Sequence, residues 1–347
     1  MLSRVAHSLY WMGRYVERAE NTARLVDVNL QLLLDHRALD DASIAEHWLP
    51  IVLSSGAGER FAALHPEATA RSVVDFLVLE TRNPDSILSA VSRARENART
   101  VRDQLTAEVW EELNRLHLFL QSAEASAHFE ASPSEFFAEV KRASLLLTGL
   151  AHATVMHGEG WQFSEVGRFI ERADQTTRIL DVLHGAFPER GLPEAASERD
   201  SVEWAALLRS CSAWDAYKSI HGAQVGPTRA VGFLLLNEEF PRSVRFCAEE
   251  LDSALRRISG VAPGRFANAA EQLSGRFLAE LRFATIEDLL AYFGLHAYLD
   301  RVQLRLSAIG DAVYDAYVGR PFADSEPDAV LRQQMQQQQQ TGPDAPA

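Results

Sequence analysis

Apolar residues recur along this chain at intervals of three and four, the spacing that lines one face of an α-helix. No run of strict apolar–polar alternation is bounded by turn residues, so no sheet is required. Prolines, glycines and capping residues divide the pattern into helices over 3–37, 43–54, 67–80, 84–105, 107–127, 133–157, 161–186, 199–219, 227–237, 241–259, 264–283 and 285–319. Asn83-Pro84-Asp85 sets a cap residue before proline at a first helical position. Ser132-Pro133-Ser134-Glu135 does the same and reads as a capping box. Beyond Pro321 the periodicity stops, and Gln336 to Gln340 are consecutive glutamines. Such a segment buries too little apolar surface to offset its ordering entropy, so 321–347 is expected to be a disordered tail. The expected architecture is all-α, a multi-helix bundle of about ten to twelve helices.

One charged phrase occurs twice. Residues 13–28 read GRYVERAENTARLVDV and residues 167–182 read GRFIERADQTTRILDV. Nine of the sixteen positions are identical, and the identities include charged residues that packing alone would let drift. Arg14, Glu17, Arg18, Arg24 and Asp27 return as Arg168, Glu171, Arg172, Arg178 and Asp181, 154 residues later. Each copy lies on the first long helix of its half. The chain therefore reads as one domain over 1–320 made of two related halves, about 1–157 and 158–320.

On the first copy Val16, Ala19, Ala23, Val26 and Leu30 form an apolar stripe that faces inward. Arg14, Glu17, Asn21 and Arg24 lie on the other side, with Arg18 at its margin. The pairs Arg14–Glu17, Glu17–Asn21 and Asn21–Arg24 are within helical reach of one another. A solvated face of such pairs is the ordinary reading. Leu25, Val28 and Leu32 nevertheless fall beside the charged side, which suggests a helix covered on both sides. Its charges would then be buried and would need partners. The second copy supplies Arg168, Glu171, Arg172, Asp174 and Arg178 to the same set. Two roles compete: a zipper of Arg–carboxylate forks between the halves, or a site whose free guanidinium and carboxylate groups meet a ligand.

Composition narrows the classes of function. The net charge of −14 runs against binding a phosphate backbone, so no nucleic-acid partner is expected. Lysine occurs only at 141 and 218, so the positive charge is almost all guanidinium, suited to forked carboxylate contacts. Cys211 and Cys247 form no CxxC pattern, the first residues are too charged for a signal peptide, and no apolar run matches a membrane span. A cytoplasmic protein without membrane contact is the expectation.

Motifs of known chemistry are absent. There is no GxSxG, P-loop or HExxH, and no glycine-rich dinucleotide loop after a strand. A carboxylate-bridged metal site would need Glu-x-x-His, and only Asp181-x-x-His184 approaches it, so neither metal nor cofactor is expected. His152, Met156, His157 and Glu159 gather near a helix end and could line a cleft. Cys211 reads as a buried thiol rather than a nucleophile.

Several segments together resemble the bacterial alpha-E family, an all-helical domain named for its Glu-Arg motif. They are Leu9 to Asn21, Arg95 to Asp103, Gly167 to Asp181, Phe233 to Val244 and Gly294 to Asp300. The resemblance brings Arg95, Glu96, Asn97 and Arg99 into the candidate set beside the doubled phrase. It implies company rather than a reaction: members are encoded beside, or fused to, circularly permuted ATP-grasp proteins and transglutaminase-like cysteine proteases. The implied role is a non-catalytic helical partner, or a peptide-binding component, of an amide-bond system. An enzyme with a Glu/Arg site and a purely structural bundle are the alternatives.

Overall fold

The computed structural model describes residues 1–35, 41–182, 198–262, 264–292 and 294–319. Among them lie sixteen α-helices and no strand. The first half holds α1 (Ser3–Asp35), α2 (Asp41–Ser54), α3 (Gly58–Leu64), α4 (Ala70–Val78), α5 (Ile87–Thr100), α6 (Ala107–Leu120), α7 (Ala123–Ala131) and α8 (Pro133–Thr154). The second holds α9 (Glu159–Val182), α10 (Glu198–Ser210), α11 (Trp214–His221), α12 (Pro227–Leu236), α13 (Val244–Ser259), α14 (Ala269–Phe283), α15 (Ile286–Tyr292) and α16 (Leu295–Tyr317). The expected tail from 321 lies outside the described residues, as does His184.

The all-α reading holds, with more helices than the periodicity suggested, because apolar spacing continues across short breaks. Ser122 caps a new helix inside 107–127 by accepting a hydrogen bond from the Ala125 amide at 3.0 Å. Ser212 adopts φ +53° between α10 and α11, and Gly294 adopts φ +73° between α15 and α16. A left-handed residue ends a helix without disturbing the apolar spacing on either side. The short α3 went unread.

Two expected starts also move. Asn83 does not cap at proline: its side chain donates to the Phe76 carbonyl at 2.9 Å, and Ser86 caps α5 through the Ser89 amide. Ser243 caps α13 in the same way after Pro241, through the Phe246 amide. The capping box at Ser132 is not formed, although Pro133 does take the first helical position.

Two apolar cores result. One is built from residues between Ala6 and Leu147 together with Phe163, the other from residues between Val166 and Val313 together with Tyr10. The central helices α1 and α9 make the most extensive contact in the molecule, and each is flanked by the helix that follows its Pro-x-Ser turn, α5 and α13 respectively.

Glycine sets how closely the central pair approaches. A Cβ on Gly13 would collide with the backbone carbonyl of Ser164, and one on Gly167 with that of Tyr10. The contacts of Gly167 with Tyr10 and of Gly13 with Ser164 are followed further along both helices by those of Arg172 with Glu17 and Arg18 with Glu171, so the two helices run parallel and in register. Glycine inside a helix costs about 0.5–1 kcal/mol against alanine. Here it allows backbone contact, which brings the charges one turn further on within reach of the opposite helix.

Candidate functional site

From that crossing outward the charged residues pair reciprocally. Arg18 forks Glu171, with Nε to Oε1 at 2.6 Å and Nη2 to Oε2 at 2.9 Å. Arg172 forks Glu17, with Nε to Oε1 at 2.9 Å and Nη2 to Oε2 at 2.7 Å. Glu171 also accepts from Arg14 Nε at 2.8 Å and Gln175 Nε2 at 3.2 Å. Glu17 also accepts from Asn21 Nδ2 at 3.0 Å and Arg242 Nη1 at 2.9 Å. Each carboxylate thus accepts four hydrogen bonds, about the full lone-pair capacity of the group.

Both carboxylates are sealed from solvent, Glu171 at 0 % exposure and Glu17 at 2 %. Burial alone would raise their pKa values. The guanidinium groups of Arg18 and Arg14 instead hold Glu171 down at about 2, and those of Arg172 and Arg242 hold Glu17 well below the usual carboxylate range. Arg14, Arg18 and Arg172 are raised in turn, because the carboxylate partners outweigh the burial that opposes charge. Aromatic rings back the forks at equivalent places: Arg18 lies 5.6 Å from the Tyr15 ring and Arg172 5.6 Å from that of Phe169.

A turn further on, Arg24 binds Glu20 and Arg178 binds Asp174, each at 2.7 Å along its own helix. Asp27 accepts from Lys141 of α8 at 2.6 Å, while Asp181 accepts from His296 of α16 at 2.7 Å. Asp300 lies 3.6 Å from the other nitrogen of that ring. The hydrogen bond to Asp181 raises the His296 pKa above its ordinary value.

The doubling therefore brings together Arg14, Glu17, Arg18, Asn21, Arg24, Glu171, Arg172, Asp174 and Arg178. Several partners differ from the local pairs expected. Arg14 crosses to Glu171 rather than turning to Glu17, and Arg24 takes Glu20 rather than Asn21. Arg168 breaks the symmetry: it pairs with Glu165 of its own helix and its Nε is buried without a hydrogen-bond partner. Arg95, Glu96, Asn97 and Arg99 are not brought to this network. They form a separate cluster on α5, in which Arg95 binds Asn114 and Glu96 while Arg99 binds Glu96. Asn97 donates to the Arg93 carbonyl. His157 stacks on Trp161 at 4.3 Å.

Three participants escaped sequence reasoning. Arg242, at the turn before α13, reaches Glu17, Asn21 and Glu20 at 2.9, 2.6 and 2.5 Å. Glu20 receives it. At the equivalent turn before α5, Asp85 pairs with Arg18. The signal was a second repetition, Pro84-Asp85-Ser86 against Pro241-Arg242-Ser243, in which the central charge is inverted. The inversion follows its target, since Asp85 meets an arginine of α1 and Arg242 meets glutamates of α1.

A family model described as a predicted alpha-helical domain with a conserved ER motif matches residues 1–318. The chain belongs to the Alpha-E family. The Glu-Arg dipeptides of the doubled phrase, Glu17-Arg18 and Glu171-Arg172, are the four residues of the reciprocal forks. This Alpha-E chain is also similar to uncharacterised proteins of Mycobacterium bovis and Mycobacterium tuberculosis, 26% identical over 272 residues. The match covers 74% of this chain and 30% of each relative, so the chain spans less than a third of their length. No solved structure matches it significantly.

Proposed function

We propose that this Alpha-E chain is a non-catalytic helical component of a cytoplasmic amide-bond system, one that holds a peptide or a partner enzyme. The observation that carries the reading is the saturation of the two central carboxylates. Glu17 and Glu171 each accept four hydrogen bonds from fixed donors, so neither keeps a lone pair for a proton from substrate. The motif residues that invite an enzymatic reading are thereby spent on joining two halves. The much greater length of the mycobacterial relatives is in keeping with a module that works beside other domains. The ATP-grasp ligase and the transglutaminase-like protease are the partners that family resemblance suggests. Among the described residues, no helix is long and apolar enough to cross a membrane.

Co-purification tests the proposal. The tagged chain should retain an ATP-grasp protein from its own cells, and the purified pair should associate at micromolar concentration. Two separately folded proteins that show no association at that concentration would remove the partner role.

A further inference from the structure

The central pair is flanked by two clefts related by the same internal repeat, and they differ in a way that points to a ligand. In the first, α8 presents Leu147, Thr148 and Ala151, α6 adds Val109 and Leu113, and only about 50 Å³ stays open. In the second, α16 presents Leu306, Ser307 and Gly310 with the same spacing, no residue of α14 intrudes, and about 240 Å³ is open. Gly310 helps keep it so, since a Cβ there would stand 3.2 Å from the Tyr10 hydroxyl.

The wide cleft carries both signs of charge with capacity to spare. Arg14 commits Nε to Glu171 and Nη1 to Tyr10, and Arg178 commits Nε to Asp174 and Nη1 to the Ser54 carbonyl. The Nη2 of each has no hydrogen-bond partner among the described residues. Asp174 accepts through Oδ2 alone. Its counterpart Glu20 receives both Arg24 and Arg242. Asp311 lines the same cleft, is exposed, and has no ion-pair partner among the described residues. Tyr10, Trp11 and Tyr314 complete the wall.

We infer that this cleft binds small zwitterionic peptides, with the carboxylate on Arg14 and Arg178 and the ammonium on Asp311 and Asp174. A simple anion would face the carboxylates of Asp311 and Asp174, and a metal cation the guanidinium groups of Arg14 and Arg178. A molecule bearing one charge of each sign satisfies both. The open volume, about 240 Å³, is enough for a dipeptide of small residues. The inference rests on the peptide-binding reading above and names its ligand class.

Calorimetric titration of the full chain with L-alanyl-L-alanine tests it. The free dipeptide should bind saturably, and its N-acetyl and C-amide forms should each bind about tenfold more weakly, as loss of one charged hydrogen-bonding group predicts. Asp311→Asn should weaken the free dipeptide by a similar factor and leave the N-acetyl form unaffected. Ser307→Trp, at an exposed position of the rim, should abolish binding without moving the thermal midpoint. No heat up to about 10 mM dipeptide, where a weak site of millimolar Kd would fill, overturns the inference. So does binding indifferent to Asp311→Asn or Ser307→Trp. A ligase complex without dipeptide binding removes the cleft assignment alone. Dipeptide binding without a complex removes the partner role and keeps the cleft.

Discussion

Arg172 holds Glu17 through two parallel hydrogen bonds across the boundary between α1 and α9, at 2.9 and 2.7 Å. Arg18 and Glu171 repeat the arrangement in the opposite direction. Each central helix thus gives one acid and one fork to the other. A buried ion pair stabilises little against an apolar replacement, yet either partner alone is costly. That asymmetry makes the junction selective, since only the correct register pairs all four groups.

Glu17→Gln should therefore cost about 3–5 kcal/mol, the range for stranding one partner of a buried pair. Arg172→Lys keeps the charge but loses the fork, and should cost about 1–3 kcal/mol. Urea denaturation reads both. A loss below about 1 kcal/mol for Glu17→Gln would mean that the network relaxes around the change.

Glycine substitutions should split by position. Gly167→Ala places a methyl group on the Tyr10 carbonyl and should destabilise by about 1–3 kcal/mol, despite alanine's better helix propensity. Gly149→Ala, inside α8 with nothing within 4 Å of the new atom, should stabilise by about 0.5–1 kcal/mol. Equal effects at the two sites would contradict the close crossing.

Acid should weaken the molecule in a defined window. The folded pKa of Glu171 is depressed from 4.5 to about 2, so its contribution is complete above the unfolded value. That contribution drains away as pH falls from 4.5 through about 2, and amounts to about 3 kcal/mol at 1.36 per unit. Glu17 acts in the same direction. The urea midpoint followed from pH 7 downward should fall through that window, with a shallower fall in Glu171→Gln.

Cys211 and Cys247 are buried and unpaired, and burial pushes both thiols up to about 12. Neither should react with a disulfide reagent at pH 8 in the folded protein, and both should react on unfolding. Fast native labelling of either would contradict the packing of α10 or α13.

Much of this was legible in the chain. Helical periodicity is local, so α1, α8, α9 and α12 stand close to where the spacing puts them. The breaks at Ser122, Ser212 and Gly294 were hidden, because apolar spacing runs through them and one capping or left-handed residue suffices to end a helix. The doubled phrase identified both members of each fork, and the apolar residues beside its charges pointed to burial. Arg242 and Asp85 stayed out of sight because they lie at turns far along the chain from their targets, where periodicity carries no information. The cluster from Arg95 to Arg99, brought in by family likeness, proved to be a separate surface group with its own local partners.

The order of residues alone shows that the protein is helical, that one charged phrase occurs twice, and that arginine and glutamate recur in it. Which partner each charge meets follows from how the helices pack. An arginine side chain can turn to a neighbour one helical turn away or reach across to another helix, and the spacing permits both. The glycine contacts settle the choice by bringing α1 and α9 together, where crossing forks satisfy more buried groups than local pairs could.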